Sequence, residues 1–135
     1  GPAICYEGLY GEFFTGFARE GAEVMAVISN DGWWGNTPGH KRLFDFCRLR
    51  AIETRRAVAR SANTGVSGFI NSRGDVEQRL DWDERGVLSA DVELSQRTTA
   101  YVTYGDWLGR MGLLLTFLGV MYFTAYRIRR KNHLV

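Results

Sequence analysis

An uncharged apolar stretch near the end of the sequence constrains the fold most strongly. Residues 111–126 read MGLLLTFLGVMYFTAY and contain neither a charge nor a proline. Counted from Trp107, the stretch has 20 residues, which as a helix extend about 30 Å, the thickness of the hydrocarbon core of a bilayer. The basic segment RIRRKNH follows at once. This order predicts a transmembrane helix rather than a buried core helix, because a core helix has no need of an adjoining cationic cluster.

The residues that flank this stretch predict its orientation. Trp107 at one end and Tyr122 and Tyr126 at the other suit the aromatic belts of a membrane, and the long stem of Arg110 can reach the headgroups. The positive-inside rule then places residues 127–135 in the cytoplasm and residues 1–105 on the outer side. The predicted organisation is a domain over residues 1–105, a transmembrane helix over residues 106–127 and a basic cytoplasmic tail over residues 128–135.

Charge and composition narrow the function of the first domain. The chain has 17 basic and 15 acidic residues, but four of the basic residues lie within 127–131, which leaves 13 basic against 15 acidic side chains before them. This mildly acidic body does not favour nucleic-acid binding, which requires a basic face. The two cysteines and two histidines lack the spacing of metal ligands, so we expect no metal and no cofactor. A disulfide between Cys5 and Cys47 remains an alternative.

Strand and helix patterns alternate along residues 1–105. Predicted strands cover residues 2–6, 24–29, 57–62, 66–71, 76–80 and 86–94, and predicted helices cover residues 9–20 and 38–55. The apolar run 24–29 is typical of a strand covered on both faces. Thr37 as N-cap and Pro38 in the first turn open the second helix, and Gly74 marks a hairpin turn. This order predicts an α/β fold with helices packed on a layered sheet.

A cysteine lies at the end of the first predicted strand. Cys5 precedes a predicted helix, and ligands of α/β proteins bind beyond the carboxyl ends of such strands. A tight turn there exposes the sulfur and directs backbone N–H groups at whatever the sulfur attacks. From the residues alone three interpretations stay open: a nucleophile assisted by Glu7, a pair with His40 as the base, and an inert buried cysteine.

Four motifs resemble one enzyme superfamily in order and spacing. They are ICYE at 4–7, SNDGWWG at 29–35, RLRAIETRRAVARSANTGVSGFI at 48–70 and GD at 74–75. Together they resemble the carbon–nitrogen hydrolase (nitrilase) superfamily, and within it the C-terminal part of the apolipoprotein N-acyltransferases, a family of bacterial membrane enzymes. The resemblance implies part of a nitrilase-type αββα layered sandwich followed by one C-terminal transmembrane helix.

The resemblance also implies an activity and its partners. The family transfers an acyl chain from a phospholipid, through a cysteine thioester, to the N-terminal diacylglyceryl-cysteine of an apolipoprotein. Its expected partners are the phospholipid donor, the apolipoprotein acceptor and the bilayer. The expected location is the bacterial inner membrane, with several membrane spans in the longer parent enzyme and the catalytic domain on the periplasmic side.

Individual roles follow from the matched motifs. Cys5 corresponds to the nucleophile, the backbone N–H of Tyr6 to part of the oxyanion hole, and Glu7 to a carboxylate that supports the site. A thioester suits this chemistry because it keeps the acyl group reactive while one product leaves and the amine arrives.

Two further motifs have expected places around the site. Four residues belong to a loop expected to bind substrate: Asn30, Asp31, Trp33 and Trp34. For the two tryptophans, core packing is the alternative to lining an acyl-chain groove. Arg50 and Glu53 are expected to form a structural ion pair, and the turn at residues 63–65 is expected to shape the site without reacting.

One departure from the superfamily pattern is serious. The superfamily uses a Glu-Lys-Cys triad whose glutamate and lysine precede the cysteine, whereas only four residues precede Cys5 here and Lys41 lies after it. The expectation is therefore that the chain is the C-terminal part of a longer enzyme, inactive and poorly stable alone. Two alternatives remain: a membrane-tethered amidase acting on small amides, and an inactive membrane-anchored interaction module.

Overall fold

The computed structural model describes the backbone of residues 1–132 and the side chains of residues 1–130. It divides into two units, one spanning Gly1–Gly105 and the other beginning at Asp106. Residues 133–135 of the predicted basic tail lie outside the described residues.

The first unit contains five strands, three α-helices and two short 3₁₀ turns. The strands are β1 (Pro2–Ile4), β2 (Val24–Ser29), β3 (Ala57–Ala62), β4 (Ser67–Ile70) and β5 (Val76–Leu80). The helices are α1 (Gly11–Arg19), α2 (Pro38–Thr54) and α3 (Ala100–Tyr104), and the 3₁₀ turns are Cys5–Leu9, here the cysteine turn, and Gly32–Trp34, here the aromatic turn. The predicted elements up to residue 80 are confirmed in type and order, whereas α3 was not predicted.

The five strands form one mixed sheet in the order β1-β2-β3-β4-β5. Strands β1, β2 and β3 are parallel because a helix returns the chain between each pair, and β3, β4 and β5 are antiparallel. The predicted hairpin turn is present between β4 and β5, with Gly74 at a φ of +86°. The three parallel strands therefore end at the same edge of the sheet.

Helices cover one face of this sheet. Helix α2 packs against β3, β4 and α1, and α1 packs against α3. The buried core between the layers consists of Ala3, Phe14, Ala18, Met25, Val27, Phe44, Cys47, Ala51, Val58, Val66, Ile70 and Val102. Burial of this apolar area is the main stabilising contribution to the unit. The expected fold class, an α/β sheet with packed helices, is confirmed.

The opposite face of the sheet is open, and one detail of the prediction is wrong. In β2 the side chains of Met25 and Val27 are buried, whereas Ala26 and Ile28 are exposed, so the strand is covered on one face only. Ile28 is paired in register with Ile4, and each is 65% exposed. The first unit thus has one sheet and one helix layer, which is half of an αββα sandwich.

The predicted strand at residues 86–94 is also wrong, since the structure has no strand there. The segment keeps the alternation that suggested a strand: Leu88, Ala90 and Val92 are half-buried and the residues between them are exposed. Alternating burial shows which side chains of the segment face the protein. A β-strand also requires an adjacent strand to which its backbone N–H and C=O groups can hydrogen-bond. One backbone group of this segment, the carbonyl oxygen of Ser89, accepts a hydrogen bond at 2.9 Å from the side chain of Gln78 rather than from the backbone of a neighbouring strand.

The described part of the second unit contains helix α4 (Trp107–Asn132). Within it Trp107–Arg130 has the length and composition to cross a membrane, with a mean hydropathy of 1.4 over its most apolar window and no residue of that window buried. A core helix of a soluble domain is mostly buried, so the helix is a candidate membrane span.

Candidate active site

The candidate site lies at the carboxyl edge of the parallel strands. Cys5 follows β1 directly, Asn30 follows β2 and Asn63 follows β3. Because the three strands are parallel and adjacent, the segments after them lie side by side, as expected for a ligand site of an α/β sheet.

The backbone at Cys5 is strained. Its φ of +52° is in the left-handed region, which costs a residue with a side chain about 1–3 kcal/mol and recurs at functional sites. The strand, strained residue and following turn resemble the arrangement that exposes a nucleophile in α/β hydrolases. Cys5 is a free cysteine, and the residue is partly exposed. It is therefore accessible from solvent, unlike a cysteine packed in the core.

Glu7 closes the cysteine turn. Its Oε2 accepts a hydrogen bond from the backbone N–H of Ile4 at 2.7 Å, and its backbone O accepts one from the N–H of Tyr10 at 3.1 Å. The Ile4 side chain has no polar atom, so only the carboxylate half of a capping box is present here. This carboxylate holds the end of β1 against the turn and thereby helps fix the strained residue between them.

The second cysteine has a different environment. Cys47 is 1% exposed in the core, and a Cβ added at Gly8 would lie 3.9 Å from its sulfur, so it packs beneath the cysteine turn. Burial raises the pKa of the Cys47 thiol, which keeps it protonated and unreactive. Both cysteines are free in this structure, so the alternative of a disulfide is not observed.

His40 lies inside the protein and does not resemble a base for Cys5. It is fully buried, its ring centroid is 4.5 Å from that of Trp82, and neither ring nitrogen has a hydrogen-bond partner within the described part of the chain. Burial is the largest cause that lowers the pKa of His40, and the neighbouring Lys41 lowers it further. A neutral imidazole without a hydrogen bond to the thiol gives no support to a Cys–His pair.

A buried ion pair lies beneath the loop that follows β2. Both Asp31 carboxylate oxygens accept from Arg60 Nη2, at 3.0 and 2.8 Å, and Ser29 Oγ donates to Oδ1 at 2.5 Å. The side chains of Asp31 and Arg60 are 0% and 1% exposed, and Arg60 also donates to the carbonyl of Val66. Asp31 was expected to bind substrate, but its carboxylate is fully engaged with these groups, so here it positions the loop.

Arg60 was not predicted as a site residue. An arginine in the middle of the apolar strand AVARSA was the available signal, because a charge on a buried strand face requires a partner. Its partner could not be found from the sequence, since Asp31 is 29 residues away along the chain.

Two asparagines join the loop after β2 to the turn after β3. Asn63 Nδ2 donates to Asn30 Oδ1 at 2.7 Å, and Asn63 Oδ1 accepts from the backbone N–H of Asp31 at 3.1 Å. The same Asn30 oxygen accepts from the N–H of Gly32 at 3.2 Å. A Cβ at Gly65 would overlap the Asp31 carboxylate, so the turn requires glycine there. These contacts make the two segments one rigid support.

The two tryptophans of the aromatic turn differ in exposure. Trp33 is 81% exposed, which contradicts the alternative of core packing for this residue, whereas Trp34 is 37% exposed. The Trp34 ring contacts Gly39 in the first turn of α2 and lies 6.3 Å from the Tyr6 ring, centroid to centroid. The aromatic turn is therefore adjacent to the cysteine turn.

The expected Arg50–Glu53 ion pair is confirmed. Arg50 Nη2 lies 3.0 Å from Glu53 Oε1, and Arg50 Nη1 donates to the carbonyl of Leu9 at 3.0 Å. Arg50 is buried, and through Leu9 it anchors the end of the cysteine turn to α2. Within the described residues, no group of three or more His, Cys, Asp or Glu side chains is arranged to hold a metal ion.

Comparison with known proteins identifies the family. The carbon–nitrogen hydrolase family model matches residues 1–101. The chain belongs to the carbon–nitrogen hydrolase family.

Relatives within that family narrow the resemblance. The chain is 41% identical over 103 residues to the apolipoprotein N-acyltransferase of Chlorobaculum tepidum, a match that covers 76% of this chain and 19% of that protein. It is 38% identical over 109 residues to the apolipoprotein N-acyltransferase of Bdellovibrio bacteriovorus, covering 79% and 20%. The chain thus spans about a fifth of the length of the curated relatives that it matches.

Solved structures agree on the fold. A carbon–nitrogen hydrolase from Helicobacter pylori G27 superposes with a TM-score of 0.61 at 16% identity, over 86% of this chain and 44% of that chain. Nit3 of Saccharomyces cerevisiae, a member of branch 10 of the nitrilase superfamily, superposes with a TM-score of 0.51 at 25% identity, over 63% and 34%. The sheet and helices described above are therefore part of a nitrilase-type fold.

Proposed function

We propose that this chain is the cysteine-bearing part of an apolipoprotein N-acyltransferase, with Cys5 as its nucleophile. The observation that carries the proposal is the free, partly exposed Cys5 on a strained turn at the carboxyl end of β1. The relatives that the chain matches carry the name of this activity. The geometry supports Cys5 as the nucleophile, and the names of the relatives support the reaction class.

The proposed reaction has two acyl-transfer steps. The Cys5 thiolate attacks an ester carbonyl of a phospholipid, the bond to the glycerol oxygen breaks, and the lysophospholipid leaves after taking up a proton. The α-amine of a diacylglyceryl-cysteine then attacks the thioester, the carbon–sulfur bond breaks, and the amine loses a proton as the amide forms. The backbone N–H of Tyr6 stabilises the oxyanion in both steps, and Glu7 supports the site.

The open sheet face supports a longer enzyme. A cavity of about 490 Å³ on this face is lined by apolar side chains such as Ile28, Phe69 and Leu88 together with polar ones such as Glu84 and Arg85. Water-exposed apolar surface of this kind is unfavourable, so further residues of the same protein are expected to cover it. We propose that those residues also provide the general base and the lysine of the triad, and that the chain alone is inactive.

The proposed location is a bacterial inner membrane, with residues 1–105 on the periplasmic side. Helix α4 supplies the candidate span, and Arg127, Arg129 and Arg130 follow its apolar part. A reporter fused after Val135 should be active in the cytoplasm, and a label attached at Asp83 should be accessible from outside. The reverse labelling pattern would contradict this orientation.

The choice of nucleophile is tested in the longer enzyme with a phospholipid whose acyl chain is labelled. Cys5→Ala should abolish the trapped thioester and all acyl transfer, because it removes the sulfur that is proposed to carry the acyl group. Cys47→Ala is the matched control and should leave both largely intact, since that thiol is buried. Loss of the thioester in Cys47→Ala alone would show that the wrong cysteine was chosen. Hydrolysis of small amides without use of phospholipid would instead favour a tethered amidase.

A further inference from the structure

We propose that a polar cluster at the start of α1 positions the cysteine turn for acyl transfer. The cluster, here the Gly11 cluster, consists of Gly11, Arg50, Glu53 and Tyr101, which come from α1, α2 and α3. It acts on the end of the cysteine turn that Glu7 does not hold. Its members are positioning residues and do not touch the reacting atoms. The inference rests on the proposed function, since it takes Cys5 as the nucleophile.

The cluster converges on a glycine. A Cβ added at Gly11 would lie 2.5 Å from the Tyr101 hydroxyl oxygen and 2.7 Å from Arg50 Nη1. The same Cβ would lie 3.1 Å from Glu53 Oε2. Gly11 is the first residue of a helix and does not have a positive φ, so its backbone conformation does not require glycine. The polar groups packed over it do, because they leave no space for a side chain.

Arg50 connects this cluster to the cysteine turn. Its Nη1 donates to the carbonyl of Leu9 at 3.0 Å, and its Nη2 donates to Glu53 Oε1 at 3.0 Å. Leu9 is the last residue of the turn that begins at the strained Cys5. A left-handed residue with a side chain persists only where its surroundings hold it. The carboxylate of Glu7 holds the start of the turn, and Arg50 holds its end.

Stability alone does not account for the ion pair of this cluster. The side chains of Arg50 and Glu53 are only 7% and 28% exposed, and desolvation offsets much of the attraction between such charges. Glu53 also lies in the last turn of α2, where the helix dipole disfavours a negative charge. A requirement for geometry accounts for both features, because a guanidinium that binds a carboxylate and a carbonyl together takes a defined orientation.

Helix α3 closes the cluster. Thr99 Oγ1 donates to the carbonyl of Glu53 at 2.6 Å and accepts from the N–H of Val102 at 3.1 Å, at the start of α3. Arg19 Nη1 donates to the carbonyl of Val102 at 3.1 Å. Helix α3 is therefore bound to the ends of both α1 and α2, and this attachment keeps the Tyr101 hydroxyl in place over the glycine.

The consequence for the reaction is geometric. The proposed oxyanion donor is the backbone N–H of Tyr6, which lies within the turn that the cluster holds. Movement of Leu9 would move this N–H relative to the sulfur of Cys5, and a displacement of about 1 Å can lower a rate about a hundredfold. A small alkylating reagent needs only an accessible thiolate, so its reaction with Cys5 does not depend on the N–H.

The test uses the longer enzyme with Gly11→Ala, whose methyl group has no space. The rate of single-turnover thioester formation at saturating phospholipid should fall by about tenfold or more, whereas the phospholipid concentration that gives half of this rate should stay the same. Alkylation of Cys5 by iodoacetamide, measured by mass spectrometry of its peptide, should stay within about threefold of the unaltered rate. Gly16→Ala in the same helix is the matched control and should keep the normal rates, since a Cβ there meets nothing within 4 Å.

Two further variants test the contacts of the cluster. Gly11→Ala/Tyr101→Phe removes the oxygen that the added methyl group meets, so it should form the thioester faster than Gly11→Ala alone. Arg50→Lys keeps the charge and loses the fork, so it should show the same pattern as Gly11→Ala, and it decides the test where Gly11→Ala does not fold. Arg56→Lys is its matched control and should keep the normal rate, because Arg56 is a buried arginine that binds backbone carbonyls directly before β3, at the opposite edge of the sheet.

Thioester formation within about threefold of normal in both Gly11→Ala and Arg50→Lys would overturn the proposal. So would an equal loss in Gly16→Ala, or a loss of Cys5 alkylation as large as the loss of thioester formation. Cys5→Ala separates these outcomes from failure of the proposed function. A thioester that still forms in Cys5→Ala would show that Cys5 is not the nucleophile, whereas an inactive Cys5→Ala beside a normal Gly11→Ala would remove only the role of the cluster.

Discussion

The cysteine turn and the Asp31–Arg60 pair lie at the same sheet edge and differ in almost every physical respect. Cys5 is strained, half-exposed and held near Ile4 by one carboxylate. Asp31 and Arg60 are buried, and each has several hydrogen-bond partners. A strained reactive group persists only where its surroundings are over-determined. The comparison therefore associates backbone strain and accessibility with the first region and rigidity with the second.

The largest expected effect is loss of the buried pair. Arg60→Met in the longer protein leaves the Asp31 carboxylate buried without its cation, so the free energy of unfolding should fall by about 3–5 kcal/mol. Adding Asp31→Asn to that variant should restore part of the loss, because no buried charge then remains. Urea unfolding measures both. If the free energy of unfolding of Arg60→Met fell by less than about 1 kcal/mol, the buried pair would not be an important stabilising contact.

The next effect concerns Glu7, where activity and stability separate. Glu7→Gln keeps an oxygen for the Ile4 N–H but removes the charge, so folding should change by at most about 1 kcal/mol. Single-turnover thioester formation should fall by about a hundredfold or more, equal to at least ~2.7 kcal/mol of barrier, if the charge supports acyl transfer. Thermal unfolding is measured beside it. Nearly normal turnover would make Glu7 a structural residue of the turn only.

A smaller effect is expected from pH through His40. Its native pKa is lowered by burial, so below about pH 6.5 the unfolded chain binds a proton that the native protein does not. The free energy of unfolding should therefore fall as pH drops from about 6.5 toward the native pKa, by at most about 1.4 kcal/mol per pH unit for this one group.

His40→Phe keeps a ring and removes the two nitrogens that have no hydrogen-bond partner in the described part of the chain. In this variant the contribution of His40 to the slope of the unfolding free energy against pH should disappear. Urea unfolding at a series of pH values measures that slope. An unchanged slope would mean that other groups carry it, among them the neighbouring Asp31, Asp81, Lys41 and Arg60.

The smallest effect measures the strain itself. Cys5→Gly should be more stable than Cys5→Ala by about 0.5–1 kcal/mol, because glycine adopts a positive φ freely, although it also makes the unfolded chain more flexible. Glu20 is the matched control, since its φ is −79° and glycine there relieves nothing. Glu20→Gly should be less stable than Glu20→Ala. The same order at both positions would remove the argument for strain at Cys5.

Much of the fold was predictable because local rules governed it. Thr37 and Pro38 indicated the start of α2, and the Thr37 side chain accepts from the N–H of Gly39 at 3.4 Å. The apolar runs of β2 and β3 have the bounds that their residues suggested, 24–29 and 57–62. The motifs around Cys5 also pointed to the family that the comparison identifies. Capping, turn chemistry and motif spacing act over a few residues, so the sequence contains them directly.

Other features were predicted wrongly because they depend on residues that are distant in the sequence. Residues 86–94 alternate like a strand, yet whether such a segment pairs depends on a partner for its backbone groups. Whether Ile28 is exposed depends on whether other residues cover the second face of the sheet. An apolar run in the sequence does not specify whether one face or both faces of its strand are covered.

The sequence by itself determined the five strands up to residue 80, the helices α1, α2 and α4, and the position of Cys5 directly after the first strand, since each depends on short-range geometry and residue chemistry. Only the tertiary structure decided that Asp31 is withdrawn to Arg60, that Cys47 lies buried beneath the cysteine turn, and that Trp33 remains in water. These outcomes depend on side chains that the sheet brings together from separate parts of the chain. The free energy of burying a charge or a ring is set by that three-dimensional environment, which no local pattern specifies.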